Sequence, residues 1–481
     1  MPRIELLDRK SVRLVLSFLA LTATASHAQV FKTLVQFNGS NGGNPSAPLL
    51  QGMNGNLYGT TEAGDSADPY GTVFEMTPAG ASGTLYTFSG AADGQFPAGL
   101  ALASSGNFYG TTVGIGRGCA AVNCGTVFKI TPSGKLTTLH TFDSSDGADP
   151  SALALGIDGN FYGATPSGGK IESCVDNYVA GCGTLYKITP AGQLTTLYVF
   201  CLQTGCPDGE DPYAQLVQAS NGIFYGAART GGNSIKICHC GTIFQITATG
   251  TFSVLHEFVN TDGANPDSLI QGSGGLLYGT TLAGGDAFGT IFQLSTAGTL
   301  TTLYDFPSQS VGQYPNGVIQ ATDGNFYGTT SAGGQNGYGT IFELTPAGVF
   351  TLLHSFSGAD GEYPGAQLFQ ATDGKFYGTT TFGAMSNCTG GCGTAFSLDM
   401  GLAPFVEFVV KAGKVGKTVE ILGQGFDGAT SVSFNGVAAT FEVRSNTFLT
   451  ATVPAGATTG YVTVETSSGT LASNVPYQVI P

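Results

Sequence analysis

The 481-residue chain contains no tryptophan, only 10% charged residues and five histidines. Without tryptophan it lacks the widest stacking surface for a sugar or a quinone cofactor, so any aromatic platform must come from tyrosine or phenylalanine. Beyond the first thirty residues no stretch approaches twenty uninterrupted apolar positions, which excludes a membrane-spanning helix there. No G-x-S-x-G elbow, H-E-x-x-H helix or phosphate-binding glycine loop stands in a supporting context, so no catalytic residue is assigned. The formal net charge of −15 disfavours a phosphate backbone as partner and excludes a nucleic-acid role.

What the chain has in abundance is glycine, at 74 residues, together with 19 tyrosines and 32 phenylalanines. That mixture predicts many short strands joined by tight turns, an all-β protein. The N-terminus reads as an export signal: Arg3, Arg9, Lys10 and Arg13 precede the apolar run Leu14 to Leu21, and Ser26-His27-Ala28 supplies small residues for cleavage after Ala28. Its removal takes four basic and two acidic residues, which leaves a net charge of −17. The expected mature protein is soluble, monomeric, and secreted or held at the cell surface by a Sec-type route.

Seven copies of a Tyr-Gly step, at Tyr58, Tyr109, Tyr162, Tyr225, Tyr278, Tyr327 and Tyr377, set a period of about fifty residues. Each copy carries four short β-patterned runs. In the second they are a (Ala98 to Ala103), b (Asn107 to Thr112), c (Gly125 to Thr131) and d (Lys135 to Phe142). Two-residue turns such as Asn54-Gly55, Asp158-Gly159 and Asp323-Gly324 join a to b. Four antiparallel strands per repeat are one blade of a propeller, and seven repeats make a seven-bladed one. The first run d, ending at Phe37, precedes any run a, while the seventh repeat leaves the pattern after Ser397. The orphan strand is therefore expected to close the ring on the last blade and remove its exposed edges.

This phasing places the a–b and c–d turns on one face and the longer b–c and d–a loops on the other. All ten cysteines fall in the longer set, as sequence pairs Cys119/Cys124, Cys174/Cys182, Cys201/Cys206, Cys238/Cys240 and Cys388/Cys392. In an exported chain such pairs read as disulfides. Cys238 and Cys240 are close enough together that Cys238 could instead reach Cys201 or Cys206, and the Cys-His-Cys around His239 could hold zinc. The b–c loops with cysteines have 12 to 17 residues and those without have 7 to 9. From about Pro404 the repeat words stop, and the runs Thr418 to Leu422, Val432 to Gly436, Ala451 to Ala455 and Tyr461 to Glu465 predict a small sandwich over 404–481.

The recurring F-Y-G-T-T, G-T-x-F and D-G-x-x-P words resemble the bacterial Gloeo/Verruco (GloVer) tandem repeat, found in exported proteins, over residues 29–400. The tail, with Gly423-Gln424-Gly425-Phe426, Val432-Ser433-Phe434-Asn435-Gly436 and Val453-Pro454-Ala455-Gly456, resembles an IPT/TIG domain of immunoglobulin-like fold. That second resemblance implies a spacer or binding role in a bacterial surface protein.

His140, His256 and His354 occupy a run-d slot that holds Tyr86, Tyr198 and Tyr304 elsewhere, the mark of packing rather than catalysis. Asp93, Asp146, Asp208, Asp262 and Asp360 of the D-G-x-x-P word could form a carboxylate ring for a calcium ion, but Asp-Gly followed by Pro is first of all a turn. Residues that break the repeat are better site candidates: Arg117, Glu172, Asp176, Glu210, Asp211 and Arg229, all on the long-loop face. The expected function is non-catalytic recognition of a glycan, cell-wall component or protein by that face. A carbohydrate hydrolase or lyase using carboxylates there, and a passive surface protein, are the alternatives.

Overall fold

The computed structural model describes residues 29–64, 69–114, 124–169, 179–232, 238–384 and 390–480, with 175–176 and 388. The expected export signal, residues 1–28, lies outside them. No described helix is long and apolar enough to cross a membrane.

Among the described residues the repeat region forms seven four-stranded antiparallel sheets, numbered 1 to 7 in chain order, with strands a to d. Sheet 6 is representative: a is Gln313–Gln320, b is Phe326–Ala332, c is Thr340–Leu344 and d is Phe350–Ser355. Sheet 7 takes its d strand from the other end of the repeats, where Val30–Gln36 pairs antiparallel with Thr394–Asp399.

Each repeat word has a packing reason. The tyrosine of Tyr-Gly lies against strand b of the following sheet: Tyr58 on Phe108, Tyr109 on Phe161, Tyr162 on Phe224 and Tyr327 on Phe376, with ring centroids 3.9–4.3 Å apart. Each such pair contributes about 0.5–1.5 kcal/mol beyond its buried area. The glycine after it admits the strand c aromatic, since a Cβ on Gly328 would stand 2.5 Å from Phe342. In sheet 3 that aromatic is Tyr186, whose hydroxyl is buried with no hydrogen-bond partner among the described residues. Because an unsatisfied buried hydroxyl is unfavourable, Tyr186→Phe is expected to raise stability by about 1 kcal/mol, read as a higher urea midpoint at unchanged slope.

The D-G-x-x-P and G-T words lock neighbouring sheets together. The residue before each proline (Asn44, Phe96, Asp149, Asp211, Asn265, Tyr314 and Tyr363) has φ between 52° and 58°. Its N–H donates to the carbonyl of the residue before the strand c glycine of the preceding sheet, at 2.8–3.2 Å in all seven cases. The last such bond, Asn44 to Cys392, joins sheet 1 to sheet 7. The proline ring then packs on that glycine: a Cβ on Gly339 would meet Pro364 at 2.6 Å. In sheets 2, 5 and 6 the proline lies inside strand a (Gln95–Leu102, Ala264–Gln271, Gln313–Gln320), not ahead of it. Strand a is an edge strand, where proline's missing N–H is tolerated.

A second set of ties runs along the short-turn face. A glutamine ends strand a in sheets 1, 4, 5, 6 and 7, and its carbonyl accepts an N–H from the a–b turn of the preceding sheet. The donors are Thr372 to Gln51, Ile157 to Gln218, Ser220 to Gln271, Ser273 to Gln320 and Thr322 to Gln370, at 2.6–3.1 Å. Sheets 2 and 3 have Leu102 and Leu155 at this position.

The tail forms two four-stranded sheets and a parallel pair, Ala412–Lys414 with Gln478–Ile480, around a core including Val419, Ile421, Phe426, Phe434, Val464 and Tyr477. Beyond the expected runs it contains Val437–Ala439, Phe441–Ser445 and Gly469–Ala472. It sits on the short-turn face. Phe405 N–H donates to Thr372 O (3.1 Å), Gln424 to the Thr372 hydroxyl (3.0 Å), Thr447 to Met53 O (3.1 Å) and Gln478 to Ser220 O (2.6 Å). Those contacts reach sheets 7, 1 and 4.

Candidate functional site

The repeated aspartates belong to their own d–a turns. Asp262 accepts from Val259 N–H (3.0 Å) and bonds His256 (3.0 Å), and Asp146 and Asp360 hold His140 (2.7 Å) and His354 (2.9 Å) in the same way. Where the slot is tyrosine, Tyr86 and Tyr198 donate to Asp93 and Asp208, each at 2.9 Å. Burial alone would raise Asp262, but its hydrogen bonds from His256 and Val259 outweigh that and hold it below the usual carboxylate range. Burial pushes His354 down, against the pull of Asp360. These carboxylates fasten turns and face their own d strands.

Among the described residues disulfides join Cys201 to Cys206, Cys238 to Cys240 and Cys388 to Cys392. Cys238 therefore does not reach Cys201 or Cys206, and the sulfurs flanking His239 are bonded to each other. Cys124 and Cys182 are also disulfide-bonded, while Cys119 and Cys174 lie outside the described residues. The sulfurs of Cys182, Cys201 and Cys206 lie within 4.8 Å of one another and of a Glu210 oxygen. In disulfide form they are not thiolate ligands.

Of the six repeat-breaking candidates, Arg117 and Glu172 lie outside the described residues, and Asp176 ends the short strand Val175–Asp176, its side chain not described. The other three come together on the long-loop face of sheet 4. Arg229 N–H donates to Asp211 O (3.0 Å), and Glu210 exchanges backbone hydrogen bonds with Thr230 (2.9 and 3.2 Å).

Around them stand residues that the repeat comparison passed over. The Arg229 guanidinium donates to Asp267 of sheet 5, with side chains 25% and 16% exposed. It also lies 3.5 Å from the ring centre of Tyr213. Its Nε is buried with no partner among the described residues. Burial raises the Tyr213 hydroxyl; Arg229 opposes that, while Asp267, Glu62 and Asp211 add to it. Glu62 follows strand b of sheet 1, so its charge acts on Tyr213 from another sheet. Glu62 itself accepts from the Ser46 hydroxyl. Tyr213 and Asp267 each follow the proline of the D-G-x-x-P word, where other copies have Ser46, Ala98, Ser151, Asn316 and Gly365. Comparing that one column would have found both.

The same face exposes Tyr314 and Tyr363, and Phe382 packs edge-on against Tyr363 at 5.9 Å. Both tyrosines occupy the left-handed position before proline, which asparagine and aspartate accept far more readily than bulky residues do.

Residues 21–236 and 173–396 match the Gloeobacter/Verrucomicrobia repeat, together most of the chain. The protein belongs to this repeat family. Residues 404–479 match the IPT/TIG domain. No curated relative matches this family member. Among solved structures it is similar to a catalytically inactive histidine-to-alanine variant of virginiamycin B lyase from Staphylococcus aureus with quinupristin. The identity is 14%, the alignment covers 77% of this chain and 99% of the lyase, and the TM-score is 0.53. That likeness gives the repeat region a propeller-like fold. Lesser likenesses are to a gluconolactonase from Xanthomonas campestris (13% identity, 68% and 91% covered, TM-score 0.40) and an extracellular domain from B. thetaiotaomicron (10%, 94% and 59%, 0.49).

Proposed function

We propose that this repeat protein is an exported, non-catalytic binding protein. Its seven sheets close into a seven-bladed propeller through the N-terminal strand, and its long-loop face recognises a glycan of the extracellular environment or cell wall. The tail serves as spacer or second contact. The observation that carries this reading is the set of half-exposed tyrosines, Tyr213 at 48%, Tyr314 at 45% and Tyr363 at 41%, on the face that also carries the Arg229–Asp267 pair. Tyrosine offers stacking area together with a hydroxyl, at little loss of side-chain freedom. Acid–base cleavage is less well supported, because Asp267 is tied to Arg229 and Glu62 to Ser46.

The full secreted chain, applied to a glycan array, is expected to retain a defined subset of glycans. Tyr213→Ala combined with Tyr363→Ala should weaken binding by roughly tenfold or more while leaving the melting transition in place. Unchanged binding by that double variant would remove this face from recognition. Release of reducing ends from a retained glycan would establish the hydrolase alternative instead.

A further inference from the structure

The glutamine ties of the short-turn face fail at two junctions, and the two are filled differently. Between sheets 1 and 2, Met53 lies over Gly106 and its carbonyl accepts from Thr447 of the tail. Between sheets 2 and 3, Leu155 replaces the glutamine and a cleft of about 460 Å³ opens beside it. Ser104 N–H, the counterpart of the Thr372 N–H that Gln51 accepts, has no acceptor among the described residues.

The tyrosine in this cleft differs from four of its counterparts, which donate to a carboxylate. Tyr58 donates to Glu75 (2.7 Å), Tyr162 to Asp158 (2.8 Å), Tyr327 to Asp323 (2.9 Å) and Tyr377 to Asp373 (2.8 Å). In sheet 2 the turn aspartate is replaced by Ser105 and the strand c glutamate by Lys129. Tyr109, only 3% exposed, has no hydrogen-bond partner for its hydroxyl among the described residues, and Lys129, its cross-strand partner and also a lining residue of the cleft, forms no ion pair there. Three donors, one of them cationic, thus border one space, where four other sheets place a carboxylate of their own.

We propose that the cleft between sheets 2 and 3 is a carboxylate-binding site that takes a sugar acid. The ligand's carboxylate occupies the place of the missing Asp or Glu and accepts from Tyr109, Lys129 and Ser104 N–H, while its ring lies against Leu155 and Pro190. A charge-assisted set of this kind prefers an anion to a neutral hydroxyl compound. The site lies on the face opposite the tyrosine cluster and does not depend on it.

The test is calorimetric titration of the full chain with sodium glucuronate, with methyl glucoside as the neutral control. Glucuronate is expected to bind at millimolar concentrations and methyl glucoside to bind roughly tenfold more weakly or not at all. Leu155→Gln restores the inter-sheet tie, occupies Ser104 N–H and should abolish binding while melting no lower than the parent. Lys129→Gln should weaken binding roughly tenfold with an unchanged melt. Absence of glucuronate binding, equal binding of the neutral sugar, or full binding by Leu155→Gln would each overturn the assignment.

Discussion

Gly339→Ala is expected to destabilise the protein by about 3–5 kcal/mol, whereas Gly324→Ala, at nearly the same backbone angle, should cost only about 1 kcal/mol. Gly339 has φ +97° and Gly324 φ +85°, so both forfeit the left-handed conformation that glycine adopts without strain. Their surroundings differ. A Cβ at 324 would meet nothing within 4 Å, but at 339 it would stand 2.4 Å from Thr330 O and 2.6 Å from the Pro364 ring. The carbonyl belongs to a paired strand, and the proline is fixed by the Tyr363 N–H bond to Tyr338 O (2.9 Å), so neither can retreat alone. Urea midpoints of the two variants separate the two effects. A Gly339→Ala protein no less stable than Gly324→Ala would mean that the proline contact does not hold the sheets together.

The second large effect concerns the strand Val30–Gln36. Without residues 1–37 the chain would lose Val35 and Phe37, 5% and 1% exposed, from the cluster they share with Leu49, Phe74 and Tyr377. Truncating a buried phenylalanine alone to alanine costs about 3–5 kcal/mol. Losing the whole strand also bares the six-residue edge Thr394–Asp399, buried along most of its length in the intact protein. An exposed apolar edge pairs with other chains. The truncated protein is expected to elute as species larger than the parent or to aggregate, and a synthetic peptide spanning 29–38, added during refolding, should restore the parent's elution. A truncated protein that elutes and melts like the parent would refute the role given to this strand.

Much of the architecture was readable because each repeat word answers one packing demand. Tyr-Gly is a ring that reaches the next sheet beside a gap that admits Phe342 or its equivalents, and the strand c glycine exists for the next repeat's proline. The partnership between those two words is invisible within a single repeat, because the contact is made to the next repeat, and at the closing junction from Gly393 back to Pro45 at the other end of the repeats. The glutamine ties escaped notice for a different reason. Gln51 and Gln370 are only 3% and 8% exposed, yet their residue type suggests surface, and nothing local distinguishes them from solvent-facing residues. In the tail, Phe441–Ser445 has only partly buried and exposed residues, so its alternation was faint.

The site was half legible. Arg229 stood out by breaking the column Glu62, Val113, Pro166, Leu282, Ser331 and Thr381. Its partners are Tyr213, ahead of strand a of sheet 4, and Asp267, inside strand a of sheet 5 and 38 residues from Arg229 in sequence, and only the folded arrangement of sheets 4 and 5 brings them together. Tyr314 and Tyr363 fall in the variable positions of the D-G-x-x-P word, and backbone handedness at a residue before proline is not written in its identity.

The tail's grip on Thr372, Met53 and Ser220 has a consequence for traffic. In the seven-bladed ring proposed above, sheets 7 and 1 stand diametrically across from sheet 4, so a module fastened to all three lies over the axis. The assembly is then a cup with a floor rather than a pipe. On that proposed reading, a ligand entering between the tyrosines would leave by the same rim, an arrangement suited to holding a chain end and ill suited to threading a polymer through.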